Sequence, residues 1–317
     1  METKNLKLKI LSLLIALLLF LPVTFIVGCS NDKASVLSGI GVNSDEPKIR
    51  VYNTSTKTTT EMDLEKYVAG VVAGEVYNTW EEEALKTQCI LARTFALKFA
   101  QSNPEIYKEK GISTSITDAQ SYDESTINDR ILQAVKDTRG KVITSNGELI
   151  DAYFHSNSGG KTATTKTGFN NLDQEPSYIK SVISPENEQN SKNYSWTATF
   201  TKSEVLNALS KMGVSVATLS SASLGQVSES GHYLTLFLGG KEVSATTLRT
   251  NLSTTKMKST KLTSIKVDGN NIVMTGLGYG HGVGVSQWGM QILAQSGKTY
   301  EDILNYYFNN ISIKTIY

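Results

Sequence analysis

The chain has 317 residues and a formal net charge of +1, which is enough for one large or two modest domains with a substantial apolar core. Its composition has neither a collagenous nor a disordered bias. After residue 28 the chain carries 28 basic and 29 acidic groups, so its charge gives no support to a nucleic-acid-binding protein. A neutral polymer such as a glycan makes no comparable demand on charge.

Residues 1–28 have the pattern of an export signal. Lys4, Lys7 and Lys9 precede an apolar run that extends from residue 10 to residue 28. The run is close to the ~20 residues that cross a bilayer, and its basic flank places the N-terminal end in the cytoplasm. We therefore predict a single N-terminal anchor in the cytoplasmic membrane, with the folded domain on the extracytoplasmic side.

A second interpretation of this segment stays open. Cys29 follows Ile26-Val27-Gly28 and resembles the lipidated cysteine of a lipoprotein processing site. The long apolar run favours the uncleaved helix. In either case residues 29–47, which are rich in Ser, Gly, Asn and Asp, are predicted to form a flexible tether to a domain at 48–317.

The patterning of residues 48–317 predicts an α+β fold, with helices and short β-sheets in a core domain and a lateral subdomain at 184–265. An alternating strand is predicted at 48–52, followed by a helical segment at 64–100. Thr79 and Glu82 fit a capping box that would start a helix near Trp80. Further helices are predicted at 127–138, 203–212, 287–296 and 300–307, a strand at 232–238, and hairpins around Asn146-Gly147 and 268–270.

The helix after Trp80 carries one apolar stripe with a polar residue inside it. Gln88 lies within that stripe and requires a buried partner or a site to reach into. Lys86 and Arg93 are seven residues apart and are predicted to share the opposite face of the helix.

The first candidate for chemistry is Glu75, which precedes this helix. Its neighbours Val71, Val72, Val76 and Tyr77 are apolar or aromatic. A carboxyl group in apolar surroundings tends to stay protonated, which suits a general acid for sugar cleavage. A solvated glutamate near a helix start is the alternative that this local composition leaves open.

Two further clusters follow. Residues 153–160 end a predicted strand in a Ser/Gly-rich turn, which commonly presents polar groups to a cleft. Residues 276–289 begin with five alternating glycines, and an extended conformation would place Tyr279, His281 and Val283 on the face opposite the glycines. A purely structural turn and a structural glycine strand remain the respective alternatives.

Two other chemistries are weighed and disfavoured. His155 and His281 fall inside these clusters, but a third and fourth zinc ligand are not apparent. Cys89 lies within a predicted helix without an adjacent base. His155 and Ser156 are strand neighbours, so their side chains point to opposite faces and do not form a simple nucleophilic pair.

Four motifs, in the same order along the chain, resemble the SpoIID/LytB domain family of stage II sporulation protein D. They are the segments at 67–75 (YVAGVVAGE), 83–96 (EALKTQCILARTFA), 155–162 (HSNSGGKT) and 280–289 (GHGVGVSQWG). The resemblance extends from about residue 49 to the C-terminus, and its four ordered motifs make it specific.

The resemblance implies a lytic transglycosylase that degrades peptidoglycan glycan strands, preferably strands stripped of stem peptides, during sporulation and engulfment. It implies action at the septal and engulfing membranes together with the amidase SpoIIP and the membrane protein SpoIIM. It places the catalytic glutamate on Glu75. The polar positions of its motifs, as substrate-binding or supporting groups, fall on Lys86, Gln88, Arg93, Tyr153, His155, Ser156, His281, Ser286 and Gln287.

The sequence departs from one variant of that family. Some members carry two cysteines beside the histidine of the third motif and bind zinc there, whereas this chain has Phe154 and Ser158 at those positions. We therefore predict no metal and no other cofactor. The alternative function is a non-catalytic module that binds peptidoglycan and activates a partner amidase, as the LytB side of the family suggests.

Overall fold

The computed structural model describes residues 45–115, 119–169 and 175–317. The predicted membrane segment at 1–28 lies outside these residues, as does nearly all of the predicted tether. Within the described ranges, no helix combines the length and the apolarity needed to cross a membrane. Helices and small sheets are interspersed along the chain, which confirms the α+β class for this part.

The first layer of the core consists of a small sheet and two helices. Strands β1 (Lys48–Asn53) and β2 (Thr58–Asp63) form an antiparallel hairpin, and β3 (Ile112–Ser113) extends it in parallel with β1. Helix α1 (Leu64–Glu75) packs on α2 (Glu82–Ser102), and the short α3 (Pro104–Glu109) follows. The predicted strand at 48–52 and the helical character of 64–100 are both present.

Helix α2 differs from its prediction at its start and in its burial. It begins at Glu82, and Glu81 caps it without a side-chain hydrogen bond, so the predicted capping box from Thr79 is wrong. Residues 77–80 instead form a turn closed by the Trp80 amide on the Tyr77 carbonyl at 3.0 Å. The core surrounds α2 on most sides, so Arg93, on the face opposite the apolar stripe, is fully buried.

A second layer packs against α2. It contains α4 (Asp129–Asp137) and a sheet in the order β14 (Ser312–Thr315), β4 (Lys141–Ser145), β5 (Glu148–Leu149). The β4–β5 turn has positive φ at Asn146 (51°) and Gly147 (87°), as the hairpin prediction requires. Helices α5 (Thr165–Phe169), α8 (Gln287–Gln295) and α9 (Tyr300–Tyr307) complete this region.

Residues 196–274 contain a second apolar core of their own. Strands β7 (Ser195–Thr201), β12 (Asn271–Leu277) and β11 (Leu262–Asp268) form one antiparallel sheet, and β8 (Ala222–Leu224), β9 (Thr235–Leu238) and β10 (Lys241–Ser244) form another. Helices α6 (Lys202–Lys211) and α7 (Ala245–Leu252) pack against them. This core extends to β12, beyond the predicted limits of 184–265.

The glycine-rich segment is not the extended strand that alternation predicts. After β12, the backbone has positive φ at Gly278 (77°), Gly280 (124°), Gly282 (81°) and Gly284 (73°). These glycines face a neighbouring segment so closely that a Cβ on Gly284 would lie 2.0 Å from the Tyr153 carbonyl oxygen. The segment then forms β13 (Val285–Ser286), which pairs in parallel with β6 (Phe154–His155).

Candidate active site

Glu75 is the last residue of α1, and two glycines of that helix determine its surroundings. A Cβ on Gly70 would lie 2.2 Å from the Tyr122 ring, and one on Gly74 would lie 2.9 Å from the Ser121 backbone. Residues 121–123 can therefore lie directly against the helix. This close approach brings the Ser121 amide to 2.6 Å from Glu75 Oε1.

The second partner of Glu75 comes from the other end of the chain. Gln287 Nε2 donates to Glu75 Oε2 at 3.0 Å. Burial of the Glu75 carboxyl group raises its pKa above the ordinary value, and the hydrogen bonds from Ser121 and Gln287 oppose that effect without cancelling it. The carboxyl group of Glu75 therefore holds its proton to a higher pH than a glutamate side chain exposed to water would.

Glu75 borders an open cleft with a volume of about 320 Å³. The residues that line it are Ala73, Gly74, Glu75, Val76, Tyr77, Trp80, Ser156, Asn193, Gln287 and Trp288. Three of them form an aromatic wall, with ring centroids 5.2 Å apart for Trp80 and Trp288, 5.8 Å for Tyr77 and Trp80, and 6.1 Å for Tyr77 and Trp288. Tyr77 remains 49% exposed, so the wall offers an aromatic surface to a ligand.

Gln287 is positioned by the start of α8. The Ser286 hydroxyl caps this helix by accepting from the Gly289 amide at 3.3 Å. Gln287 Nε2 also lies 3.5 Å from Gln88 Oε1 of α2. The predicted buried partner of Gln88 is therefore Gln287, and the two amides connect α2 to the carboxyl group of Glu75.

Lys86 and Arg93 are held elsewhere by carboxylates. Lys86 Nζ lies 2.6 Å from Glu82, 3.1 Å from Glu83 and 3.3 Å from Asp137. Neither cation is a hydrogen-bond partner of Glu75 or contributes to its pKa shift. Neither cation therefore lowers the pKa of Glu75.

Arg93 has a buried carboxylate of its own. Its guanidinium donates twice to Glu65, from Nε at 2.9 Å and from Nη2 at 2.6 Å. Nη1 donates to the Lys141 carbonyl at 2.9 Å. These contacts connect α1, α2 and β4, and they account for the position of Arg93 without a substrate.

The motif at 153–160 divides between the cleft and the interior. Ser156 lines the cleft, whereas His155 is buried and its Nδ1 donates to the Val283 carbonyl at 3.1 Å. Tyr153 packs 4.9 Å from the Phe169 ring and 6.0 Å from the His281 ring. Tyr153 and His155 thus support the glycine-rich segment and do not line the cleft.

All three histidines of the chain lie near this segment. The His155 and His281 ring centroids are 5.6 Å apart, and a Cβ on Gly282 would lie 2.6 Å from His232 Nε2. Burial lowers the pKa of His155 to about 4 and that of His232 to about 3, so both rings are neutral near pH 7. The described ranges contain no group of three or more His, Cys, Asp or Glu side chains that could hold a metal ion.

Glu186 is a buried carboxylate that the sequence pattern did not reveal. It accepts from the Ser158 amide at 2.8 Å, the Ser158 hydroxyl at 2.6 Å and the Ser286 hydroxyl at 2.6 Å, and from the Ser184 hydroxyl. These bonds hold the pKa of Glu186 below its ordinary value despite burial. Ser158 and Ser286 therefore connect their two motifs through Glu186, and Ser158 occupies a zinc-cysteine position of the family variant.

Other side chains of the cleft also escaped the sequence interpretation. Tyr77, Trp80, Trp288 and Asn193 line it, and only the tertiary structure brings them together. The available signal was Tyr77 and Trp80, which follow the first motif, and Trp288, which lies within the fourth.

Comparison with known proteins relates this chain to a sporulation family. The SpoIID family model, described as "Stage II sporulation protein", matches residues 52–145. "Stage II sporulation protein D" of Bacillus subtilis (strain 168) is 32% identical, over 96% of this chain and 94% of its own length. The protein of the same name from Bacillus amyloliquefaciens is 31% identical over 84% of this chain and 78% of its own length. "Amidase enhancer" of Bacillus subtilis is 28% identical over 75% of this chain and 39% of its own length.

Proposed function

From the premise that the chain belongs to the stage II sporulation protein D family, we propose that it is a lytic transglycosylase of peptidoglycan glycan strands. In this proposal Glu75 is the catalytic acid and base. The substrate is the strand from which the stem peptides have been removed. The products end in 1,6-anhydro-N-acetylmuramic acid.

One observation carries the proposal, namely a carboxyl group with a raised pKa beside an aromatic wall in an open cleft. A general acid must hold its proton near neutral pH, and partial burial favours that state. Aromatic side chains offer an apolar face to the C–H surface of a sugar ring, and the amides of Gln287 and Asn193 offer hydrogen bonds to its polar groups.

The chemistry needs a single carboxyl group. Glu75 donates its proton to the glycosidic oxygen between N-acetylmuramic acid and N-acetylglucosamine, and the bond to the muramic C1 breaks. The resulting carboxylate accepts the proton of the muramic C6 hydroxyl, whose oxygen bonds to C1 and closes the anhydro ring. The hydrogen bonds from Ser121 and Gln287 strengthen when Glu75 is charged, so they stabilise this intermediate state.

Ordinary hydrolysis requires a second carboxylate, at about 5–5.5 Å or about 6.5–9.5 Å from the first. Among the described residues that line the cleft, Glu75 is the one acidic side chain. The acidic residues that lie near Glu75 in the sequence, namely Asp63, Glu65 and residues 81–83, do not line the cleft, and Glu65 is bound by Arg93. This favours the lytic reaction over hydrolysis.

The cellular setting belongs to the same proposal. We place the domain on the extracytoplasmic side of the cytoplasmic membrane, held by the predicted N-terminal segment. The amidase SpoIIP would supply peptide-free strands during engulfment, and SpoIIM would hold the complex at the membrane. Family membership supports the sporulation context.

Mass spectrometry of the products from peptide-free glycan strands tests the activity. Wild-type chain should release anhydro-muramic ends, and Glu75→Gln should be slower by roughly 10²–10⁴, the usual contribution of general acid–base catalysis. Glu81→Gln is the matched control, because Glu81 is exposed six residues later, at the start of α2, and does not line the cleft. Normal product release by Glu75→Gln would refute the assignment, and reducing ends would indicate hydrolysis.

A binding module that activates an amidase is the second candidate, because one relative bears the name "Amidase enhancer". In that case the same cleft would hold a glycan without cutting it. Strand binding without any product from either wild type or Glu75→Gln, combined with faster peptide release by an added amidase, would favour this candidate.

A further inference from the structure

Two lysines beside the cleft have no carboxylate partner among the residues that the structure describes. Lys192 is exposed, and its Nζ lies 5.0 Å from the centroid of the Tyr77 ring. Lys258 Nζ lies 5.3 Å from the centroid of the Tyr279 ring and donates to Asn193 Oδ1 at 2.7 Å. The ion pairs of the described residues, counted to 4.0 Å, all involve other cations.

Both lysines are connected to the cleft itself. Tyr77 and Asn193 line the cleft, and Lys192 and Lys258 contact these two residues respectively. Asn193 has a φ of 59°, a left-handed conformation that asparagine tolerates better than most residues. Each lysine therefore lies next to a residue at the edge of the cleft, with its ammonium group over an aromatic ring.

The buried residue Asn157 contacts both the backbone of Lys192 and Tyr279, the aromatic residue beneath Lys258. The side-chain amide of Asn157 donates to Ser191 Oγ at 3.0 Å and to the Lys192 carbonyl at 3.3 Å. The backbone of Asn157 exchanges two hydrogen bonds with Tyr279, at 3.0 and 2.7 Å. Asn157 is only 2% exposed, so this arrangement is part of the fold and not a chance contact of surface side chains.

An ammonium group held at the rim of a ligand cleft, without a carboxylate of its own, is suited to an anionic ligand. The sugar rings and acetamido groups of a glycan strand are neutral. Its muramic lactyl group carries a free carboxylate wherever the amide bond to the stem peptide has been cleaved. Such strands present these carboxylates repeatedly along their length, which matches more than one cation along a rim.

We propose that Lys192 and Lys258 bind the lactyl carboxylates of peptide-free glycan strands and so determine the specificity of the cleft for them. This inference rests on the proposed function, because it takes the glycan strand as the ligand. It assigns to these two lysines a role in recognition that is separate from the chemistry of Glu75.

Equilibrium binding with two forms of one substrate tests the proposal. The first form is peptide-free glycan with free carboxylates, and the second is the same glycan after carbodiimide coupling to methylamine, which makes each carboxylate a neutral amide. Binding is measured in the Glu75→Gln background so that the strands stay intact. The variants are Lys192→Met, Lys258→Met and their combination, and Lys298→Met is a matched control because Lys298 is exposed at the far end of α8.

We expect each lysine variant to weaken binding of the carboxylate form by about three- to fivefold, the upper part of the range of an exposed ion pair. The combination should weaken it by about tenfold or more, while binding of the amide form should change less than about twofold. Lys192→Arg should retain the preference, and added salt should reduce it. The control should bind both forms as the parent protein does.

Two results would overturn the proposal. One is equal binding of both strand forms by the parent protein, and the other is an equal loss of both forms in the lysine variants. Because binding is measured without cleavage, a failure of the lytic activity would appear separately, as wild-type chain that prefers the carboxylate form and releases no anhydro product.

Discussion

Replacement of Arg93 by methionine should cost stability and not specific recognition of a substrate. Arg93 is fully buried, and its guanidinium makes two hydrogen bonds to Glu65. Removal of one partner of a buried ion pair leaves the other charge uncompensated, at a cost of about 3–5 kcal/mol. Glu65 would retain the Gly140 amide at 3.1 Å and the Tyr317 hydroxyl, which places the expected loss toward the lower end of that range.

The free energy of unfolding of the purified chain, from urea denaturation, measures this loss. A loss of about 3 kcal/mol is a large part of the roughly 5–15 kcal/mol by which domains are stable, so the midpoint should fall clearly. Lys86→Met is the control, because the carboxylates that it contacts are 30–57% exposed and water can hydrate them when the lysine is removed, so the loss should be less than about 1 kcal/mol. Replacing Glu65 and Arg93 together by methionine should recover part of the loss, since no unpaired charge remains.

The opposite pattern would refute this reasoning. If Arg93→Met unfolds within about 1 kcal/mol of wild type, the ion pair contributes no more than an exposed pair would. If it also loses binding of glycan strands while it stays folded, Arg93 acts on the substrate, as the motif resemblance implies. Near-equal effects of Arg93→Met and Lys86→Met on stability would likewise contradict the buried-pair argument.

Three further predictions concern the glycine-rich segment, the proposed acid and a buried histidine. Gly284→Ala should destabilise by about 2–5 kcal/mol in urea denaturation and Gly213→Ala by only about 1–2, because both have a φ of 73° but open space surrounds only Gly213. Gln287→Leu should move the alkaline limb of the pH–rate profile to higher pH, because its hydrogen bond lowers the pKa of Glu75; an unchanged limb would contradict this. The free energy of unfolding should fall as pH drops from about 6.5 toward 4. In this range His155 binds a proton in the unfolded chain but stays neutral in the folded chain, where burial lowers its pKa to about 4. His155→Gln should flatten that dependence, and an unchanged slope would show that His155 contributes nothing to it.

The sequence by itself determined most of the local structure and the family. The hairpin at Asn146-Gly147 follows from the backbone conformations that these two residues tolerate. The helices at 202–211, 287–295 and 300–307 follow from apolar periodicity and lie within one residue of their predicted limits. These features depend on residues that are close in the chain, so a local pattern can reveal them.

Local pattern misled where a long-range contact overrode it. Alternating glycines predicted an extended strand, but the need to pass close to residues 153–158 gives this segment four positive φ angles. Thr79 and Glu82 had the spacing of a capping box, yet the turn at 77–80 places Trp80 against Trp288 instead. Arg93 lies on the face of α2 opposite the apolar stripe and is nevertheless fully buried, because periodicity describes one helix and not the layers that enclose it.

The candidate site was decided by the tertiary structure. The motif in the sequence singles out Glu75 as a candidate, but the pKa of Glu75 depends on the tertiary structure. Burial raises it, and hydrogen bonds from residues 46 and 212 positions away in the chain partly oppose that rise. Glu186, which binds two motifs together, lies in none of them. The sequence pattern indicates which residues belong to a site. Burial and hydrogen bonds between distant segments determine the pKa of each residue, and hence whether it can donate a proton.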